Sequence, residues 1–412
     1  MRVLTKYDVL IYVSNEEILV DELIKRIRQN ALFEKTSERT IRRLLAELRK
    51  DGLISRNRGI FFLTEKAVNL LAFLLWAKKD AIEYNIPLSK GNKAIFKMIF
   101  EARETNLIGN SLFSKPTTLK IAKNLEKIGF IAVTKRKPLV TKSNVTDNTL
   151  FFVNIFDCDF TAFQKSIKIA RIEKDSPALR EHLIKLHVYS TTVTEGNTAT
   201  ENDVERVLNN LDSRLSPKEV IEIINAKKAV DELYNTHNEE LSVELIKKFH
   251  KIFMANLVEK PGEFSYITKK IIGSAARLPD SKTEIDTAIQ AMLNFYEKYN
   301  DKINPLIMAP IIHFLFVSIH PFIDGNGRVA RLIHSFILLK SNLPLFAFDP
   351  NYRNEYFNLL ERGRLKSVED FIQFCIDKHK ELIESPLNVI QKQKMKELWD
   401  NKNDEAWEQH NK

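Results

Sequence analysis

The stretch HPFIDGNGRVAR, His320 to Arg331, decides how the rest of the chain is read. It follows the nearly all-apolar run APIIHFLFVSI, which reads as a buried helix that delivers His320 at its end. Pro321 cannot continue a helix interior, so the helix stops there. Gly325-Asn326-Gly327 reads as a tight turn, and RVARLIHSFILL then resumes as an amphipathic helix. A loop opening onto a helix N-terminus presents free backbone amides, and glycines let phosphate approach them closely. Arg328 and Arg331 fall in the first turn, where guanidinium groups can clamp phosphate oxygens. Asp324 would repel phosphate unless a cation bridges the two, and Mg2+ is the natural bridge. His320 is the only group in the stretch able to take a proton near neutral pH, which makes it the candidate general base. His313, within the apolar run, reads as a core histidine.

The stretch resembles the signature H-P-F-x-[DE]-G-N-G-R-x-x-R of the Fic (filamentation induced by cyclic AMP) family at every defined position. The resemblance covers roughly residues 176 to 385. It implies a mostly helical enzyme that transfers AMP from ATP to a Ser, Thr or Tyr hydroxyl of a target protein. It further implies that His320 deprotonates that hydroxyl, Asp324 holds Mg2+, and Asn326 with the loop amides of Gly325 and Gly327 grips the α-phosphate. Arg328 and Arg331 would bind the remaining phosphates. Phosphorylating relatives carry lysine where this chain has Gly327, so the resemblance favours nucleotidyl transfer.

Three further segments fit it. TTVTEGN, Thr191 to Asn197, matches the inhibitory pattern [ST]-x-x-x-E-[GN] at Thr191, Glu195 and Gly196, and implies that Glu195 pairs with Arg331. Its place before the catalytic motif resembles the class with an N-terminal inhibitory helix. The segment Lys269 to Ser274 resembles the target-docking flap, where a substrate strand adds by main-chain hydrogen bonds. NYRNEYFNLLERG resembles the nucleobase-side helix, with Tyr356 and Phe357 as nucleotide contacts or, equally, core aromatics.

Outside this region, 412 residues imply two to four domains. A hydrophobic content of 44% and a charged content of 28% are those of globular protein. Two distant cysteines, Cys158 and Cys375, match neither a disulfide framework nor a paired metal site, and no apolar window is long enough to span a bilayer. A cytoplasmic location is expected.

Charge is unevenly spread. Residues 1 to 160 hold 28 Lys+Arg against 18 Asp+Glu, so the whole net charge of +9 belongs to the front of the chain. There, Ser37 to Lys50 has an apolar stripe Ile41, Leu44, Leu45, Leu48, with Arg39, Arg42 and Arg43 largely off it. LISRNRGIFFLT follows as two short strands around a basic turn containing Arg56 and Arg58. The pattern recurs 77 residues on: Leu48 to Ile54 corresponds to Leu125 to Ile131, with a second basic turn at Lys135, Arg136 and Lys137 and a returning strand over Leu150 to Val153. Both copies read as winged helix-turn-helix modules, whose basic faces suit double-stranded DNA or, alternatively, a domain kept for protein contacts.

The expected architecture is therefore mainly α: an all-helical Fic core with a β-hairpin flap, preceded by two winged helix-turn-helix (α+β) modules. The domains are 1–85, 86–160, a catalytic domain over 161–385 with its inhibitory helix, and a polar tail over 386–412. The leading functional expectation is a self-inhibited, Mg2+-dependent protein adenylyltransferase using ATP. Its rivals are a DNA-binding regulator with a nucleotide-sensing body and an enzyme that removes AMP. A homodimer remains open.

Overall fold

The computed structural model describes residues 3–13, 18–110, 113–172, 174, 177–271, 274 and 276–384. The tail expected over 386–412 lies outside them, as do Ile272 and Gly273 of the flap.

The front of the chain contains one element order twice. The first copy runs α1 Lys6–Val13, β1 Ile18–Leu19, α2 Val20–Gln29, α3 Glu38–Lys50, β2 Ile54–Asn57 and β3 Ile60–Leu63. Ser37 caps α3 by accepting the Thr40 amide at 3.2 Å. The stripe Ile41, Leu44, Leu45, Leu48 faces inward as its spacing dictates. The three strands form an antiparallel sheet in the order β1-β3-β2.

After the apolar helix α4, Val68–Lys79, the second copy runs α5 Lys90–Ala102, β4 Glu104–Asn106, α6 Leu107–Asn110, α7 Lys115–Lys127, β5 Ile131–Lys135 and β6 Val140–Ser143. Its sheet order, β4-β6-β5, repeats the first. Gly52 and Gly129 both adopt positive φ, 71° and 76°, at the same point of each copy. That backbone region is open to glycine at little cost, which explains the residue at both helix ends.

One expectation is corrected here. Leu150 to Val153 is not a returning strand but the interior of a helix, α8 Asp147–Asn154. A short apolar run fits a buried strand and a buried helix equally by pattern. The reciprocal capping bonds of Thr146 and Thr149, together with burial of all eight helix residues, decide for helix.

The body is helical: α9 Pro177–Thr194, α10 Glu201–Leu208, α11 Pro217–Thr236, α12 Val243–Phe253, α13 Lys282–Tyr299, α14 Pro305–Ile319, α15 Asn326–Lys340 and α16 Arg353–Leu365, then a helix over 369–384. Every residue of α14 from Leu306 onward is buried, and it packs along α15. The front modules are fastened to this body. Helix α4 packs on α13, Asn154 Nδ2 donates to Ala291 O at 2.8 Å, and the Val368 amide donates to Val145 O at 2.7 Å. Arg103 pairs with Glu369 across the same junction.

The described residues of the flap region, between Phe264 and Asp280, contain no strand. Bonds within the segment and to neighbouring elements hold it instead. The Ser265 amide donates to Pro321 O at 2.8 Å, Lys269 Nζ to Ser265 O at 2.6 Å, and Ser274 Oγ to Glu361 Oε2 at 2.7 Å. Among the described residues no helix is long and apolar enough to cross a membrane.

Candidate active site

His320 ends α14 in the left-handed conformation, φ 52° and ψ 56°, its amide donating to Phe316 O at 2.9 Å. Nδ1–H donates to Val317 O at 3.4 Å, which leaves Nε2 with the lone pair. Burial pushes its pKa down to about 4; the Val317 carbonyl opposes this, while Lys269 and Arg364 add to it. The imidazole is therefore neutral at pH 7, as a proton acceptor must be.

The loop after it is shaped from within. Asn326 Oδ1 accepts the Phe322 amide at 2.9 Å, and Asn326 Nδ2 donates to Phe322 O at 3.0 Å. The side chain expected at the α-phosphate thus also fixes the loop, alongside the backbone amides of the cradle. Gly325, at φ 77°, caps α15 without a side chain, and a Cβ there would strike Met254. The first amides of a helix have no acceptor within it, so this end remains an anion site.

His250, on α12, also supports this loop. Its ring stacks on Phe322 with centroids 3.7 Å apart and planes 6° apart. Nδ1 accepts the Gly262 amide at 2.7 Å and Nε2–H donates to Asp324 O at 3.1 Å. Burial lowers its pKa to about 4, with the Asp324 carbonyl opposing. In sequence it is one more residue on a buried stripe with Ile246, Phe249 and Phe253, so no local signal marks it.

Arg331 is 1% exposed and well supplied with acceptors. Nε donates to Thr191 Oγ1 at 2.9 Å, Nη2 to Thr191 O at 3.1 Å and to Glu195 Oε1 at 2.6 Å, and Nη1 to Tyr356 OH at 3.4 Å. Burial opposes its charge, but Glu195 and Tyr356 outweigh this and raise its pKa. Glu195 ends α9 beside Gly327, where a side-chain carbon would collide with its carboxylate. Gly196 follows at φ 106° and turns the chain away. Arg328, also buried, reaches Glu222 Oε1 at 3.3 Å.

The fold brings His320, Asp324, Gly325, Gly327, Arg328 and Arg331 to one loop and helix end, with Thr191 and Glu195 against it. Tyr356 lies apart from the cradle: it is 1% exposed, behind Arg331, with its hydroxyl 2.8 Å from His313 Nε2. Phe357, on the same helix, is partly exposed beneath the Arg353 guanidinium. Asp324 is exposed, with Oδ1 accepting the Gly325 amide at 2.6 Å. A lone carboxylate at a phosphate cradle fits Mg2+, which is held by one or two carboxylates plus substrate phosphates.

On the front modules, Arg39, Arg42 and Arg43 are exposed on α3. Arg42 Nε is 2.6 Å from Glu38 Oε1, and Arg43 pairs with Glu47. Arg56 lies over the Phe61 ring, and Arg58 with Gly59 forms the β2–β3 turn. Lys135, Arg136 and Lys137 are exposed at the β5–β6 turn.

Residues 240–338 match the profile of the Fic/DOC family. The chain is 27% identical over 206 residues to a Caenorhabditis elegans protein named protein adenylyltransferase fic-1, covering 48% of this chain and 39% of that protein. It is 24% identical over 212 residues to protein adenylyltransferase Fic of Drosophila willistoni, covering 46% and 39%. It thus spans about two fifths of the length of these curated relatives. Among solved structures, a fragment of Fic-1 from C. elegans matches with a TM-score of 0.48 and 17% identity, covering 80% of this chain and 100% of that one.

Proposed function

We propose, from the match of residues 240–338 to the Fic/DOC-family profile, that this protein transfers AMP from ATP to a Ser, Thr or Tyr hydroxyl of a protein and is held inactive by Glu195. The observation that carries the reading is a neutral His320, with its Nε2 lone pair free, at the rim of a helix N-terminus that Glu195 blocks. Phosphoryl chemistry needs positioning and charge neutralisation more than covalent help from the protein. His320 Nε2 takes the proton from the target hydroxyl, whose oxygen attacks the α-phosphorus. The bond from that phosphorus to the bridging oxygen breaks, and pyrophosphate leaves. The α15 amides hold the inner phosphate, and Arg328 and Arg331 hold the outer ones. Mg2+, held by Asp324, would neutralise phosphate charge.

Glu195 supports self-inhibition because it occupies Arg331 and the space beside Gly327. The target docks at the flap, Lys269 to Ser274. Intact-mass analysis of the Glu195→Gly variant with Mg2+ and each nucleotide in turn tests this. Addition of AMP, abolished by His320→Ala, is expected; no added mass with any nucleotide overturns it. Incubation with a pre-modified target separates forward transfer from AMP removal.

We further infer that the two front modules are winged helix-turn-helix domains that bind double-stranded DNA. Their shared element order and sheet order support the assignment. The four exposed arginines of α3, Arg39, Arg42, Arg43 and Arg49, support the ligand.

A further inference from the structure

Arg328 and Arg331 lie about one turn apart near the start of α15 but are satisfied very differently. Arg331 has acceptors on all three nitrogens. Arg328 is 6% exposed, yet among the described residues Nη2 reaches only Glu222 at 3.3 Å, Nη1 only the Met254 thioether at 3.2 Å, and Nε has no hydrogen-bond partner. A buried guanidinium with unmet donors is costly, and a purely structural arginine is normally fully bonded. This one is built to meet further acceptors, and the amide cradle beside it brings phosphate oxygens there.

The carboxylate that holds Arg328 is itself tethered. Glu222 on α11 is buried, and its Oε2 accepts Asn197 Nδ2 at 2.9 Å. Asn197 also donates to Glu219 O at 3.2 Å, and the Thr198 amide and hydroxyl donate to Glu219 Oε1 at 2.9 and 2.7 Å. Asn197 is two residues beyond Glu195. A single turn at the end of α9 therefore reaches both arginines, one directly and one through Glu222.

We propose that Glu222, oriented by Asn197, is a second restraining carboxylate that keeps Arg328 from nucleotide phosphate as Glu195 keeps Arg331. Glu222 is a positioning residue, acting through Arg328, and the proposal rests on the cradle being a nucleotide site. A nucleotide must then displace two carboxylates, and releasing Glu195 alone frees only one arginine.

The test uses the full chain as Glu195→Gly, Glu195→Gly/Glu222→Gln, Glu195→Gly/Glu222→Asp and Glu195→Gly/Asn197→Ala. Calorimetry gives the Kd for MgATP, and auto-modification gives KM and kcat. Glu222→Gln is expected to tighten ATP by about fivefold or more in both Kd and KM, with kcat changing less than about twofold. Glu222→Asp, which keeps the charge, should stay near the Glu195→Gly value. Asn197→Ala should tighten ATP in the same direction with both charges present, which guards against a folding defect in the glutamine variant. Unchanged or weakened binding, or a loss confined to kcat, overturns the proposal. ATP binding without AMP transfer by Glu195→Gly would sink the adenylyltransferase reading while the Kd series still decides the role of Glu222.

Discussion

Glu195 Oε1 accepts a hydrogen bond from Arg331 Nη2 at 2.6 Å while lying against Gly327, so one carboxylate touches both the first and the second turn of α15. The pair is strong because Arg331 is buried and Glu195 is largely so, which weakens solvent screening.

Gly327→Ala should therefore push Glu195 off Arg331, since a Cβ meets the far end of that side chain before anything else. Leaving Arg331 with less compensation costs on the order of 2 kcal/mol. The cost should largely vanish when Glu195 is already glycine. Unfolding of the two single variants and the double variant measures the coupling, and strict additivity would contradict the contact.

AMP transfer by a Glu195-released variant should be flat across neutral pH and fall as pH drops towards about 4, where His320 protonates. Stability follows a related course. Burial holds His187 and His250 near 4 and His379 near 3, below the ordinary 6.5. Between about 6.5 and 4 the unfolded chain binds protons that the folded chain does not, so stability falls as pH falls through that window. Thermal unfolding at pH 7.5, 6 and 5 should give midpoints decreasing in that order.

His250→Ala should loosen the catalytic loop from a distance. It removes the ring stacked on Phe322 and strands the Gly262 amide and the Asp324 carbonyl. About 2–4 kcal/mol of stability should be lost, from cavity and unmet hydrogen bonds together. Urea unfolding reads the loss, and a change under 0.5 kcal/mol would show that the loop does not depend on this histidine.

DNA binding, if it resides on α3, should weaken steeply with salt as released counterions demand. Arg42 and Arg43 already sit against Glu38 and Glu47, exposed pairs each worth roughly 0.3–0.5 kcal/mol, which phosphates can displace. Arg39 has no such partner among the described contacts, so Arg39→Ala should lower the salt slope by about one. Fluorescence anisotropy with duplex DNA at several salt concentrations gives the slope, and a salt-independent signal counts against the reading.

Local patterns were legible wherever one segment fixed its own conformation. The stripe of α3, the apolar helix that delivers His320, and the turn between it and α15 all rest on spacing, caps and turn residues within a few positions. The 77-residue repeat was equally local, because each copy ends its third helix on a glycine that must take positive φ. Leu150 to Val153 failed for the same reason in reverse: an apolar quartet carries no period, and burial on every side made it a helix.

What only the tertiary structure decided is how distant side chains share one site. His250 is 74 residues from Asp324 and Glu222 is 106 from Arg328, and neither meeting is marked in the sequence; the Glu195–Arg331 pair, 136 residues apart, was implied by the family resemblance and is present. No local preference encodes such meetings. Tyr356 shows the same limit: residue type left it as a nucleotide contact or a core aromatic, and only packing places it inward, behind Arg331. The sequence by itself supplied the candidate reacting groups, because the chemistry of each side chain is intrinsic to it. Packing of α9, α11 and α12 around α15 decided which of those groups are held, shielded or free.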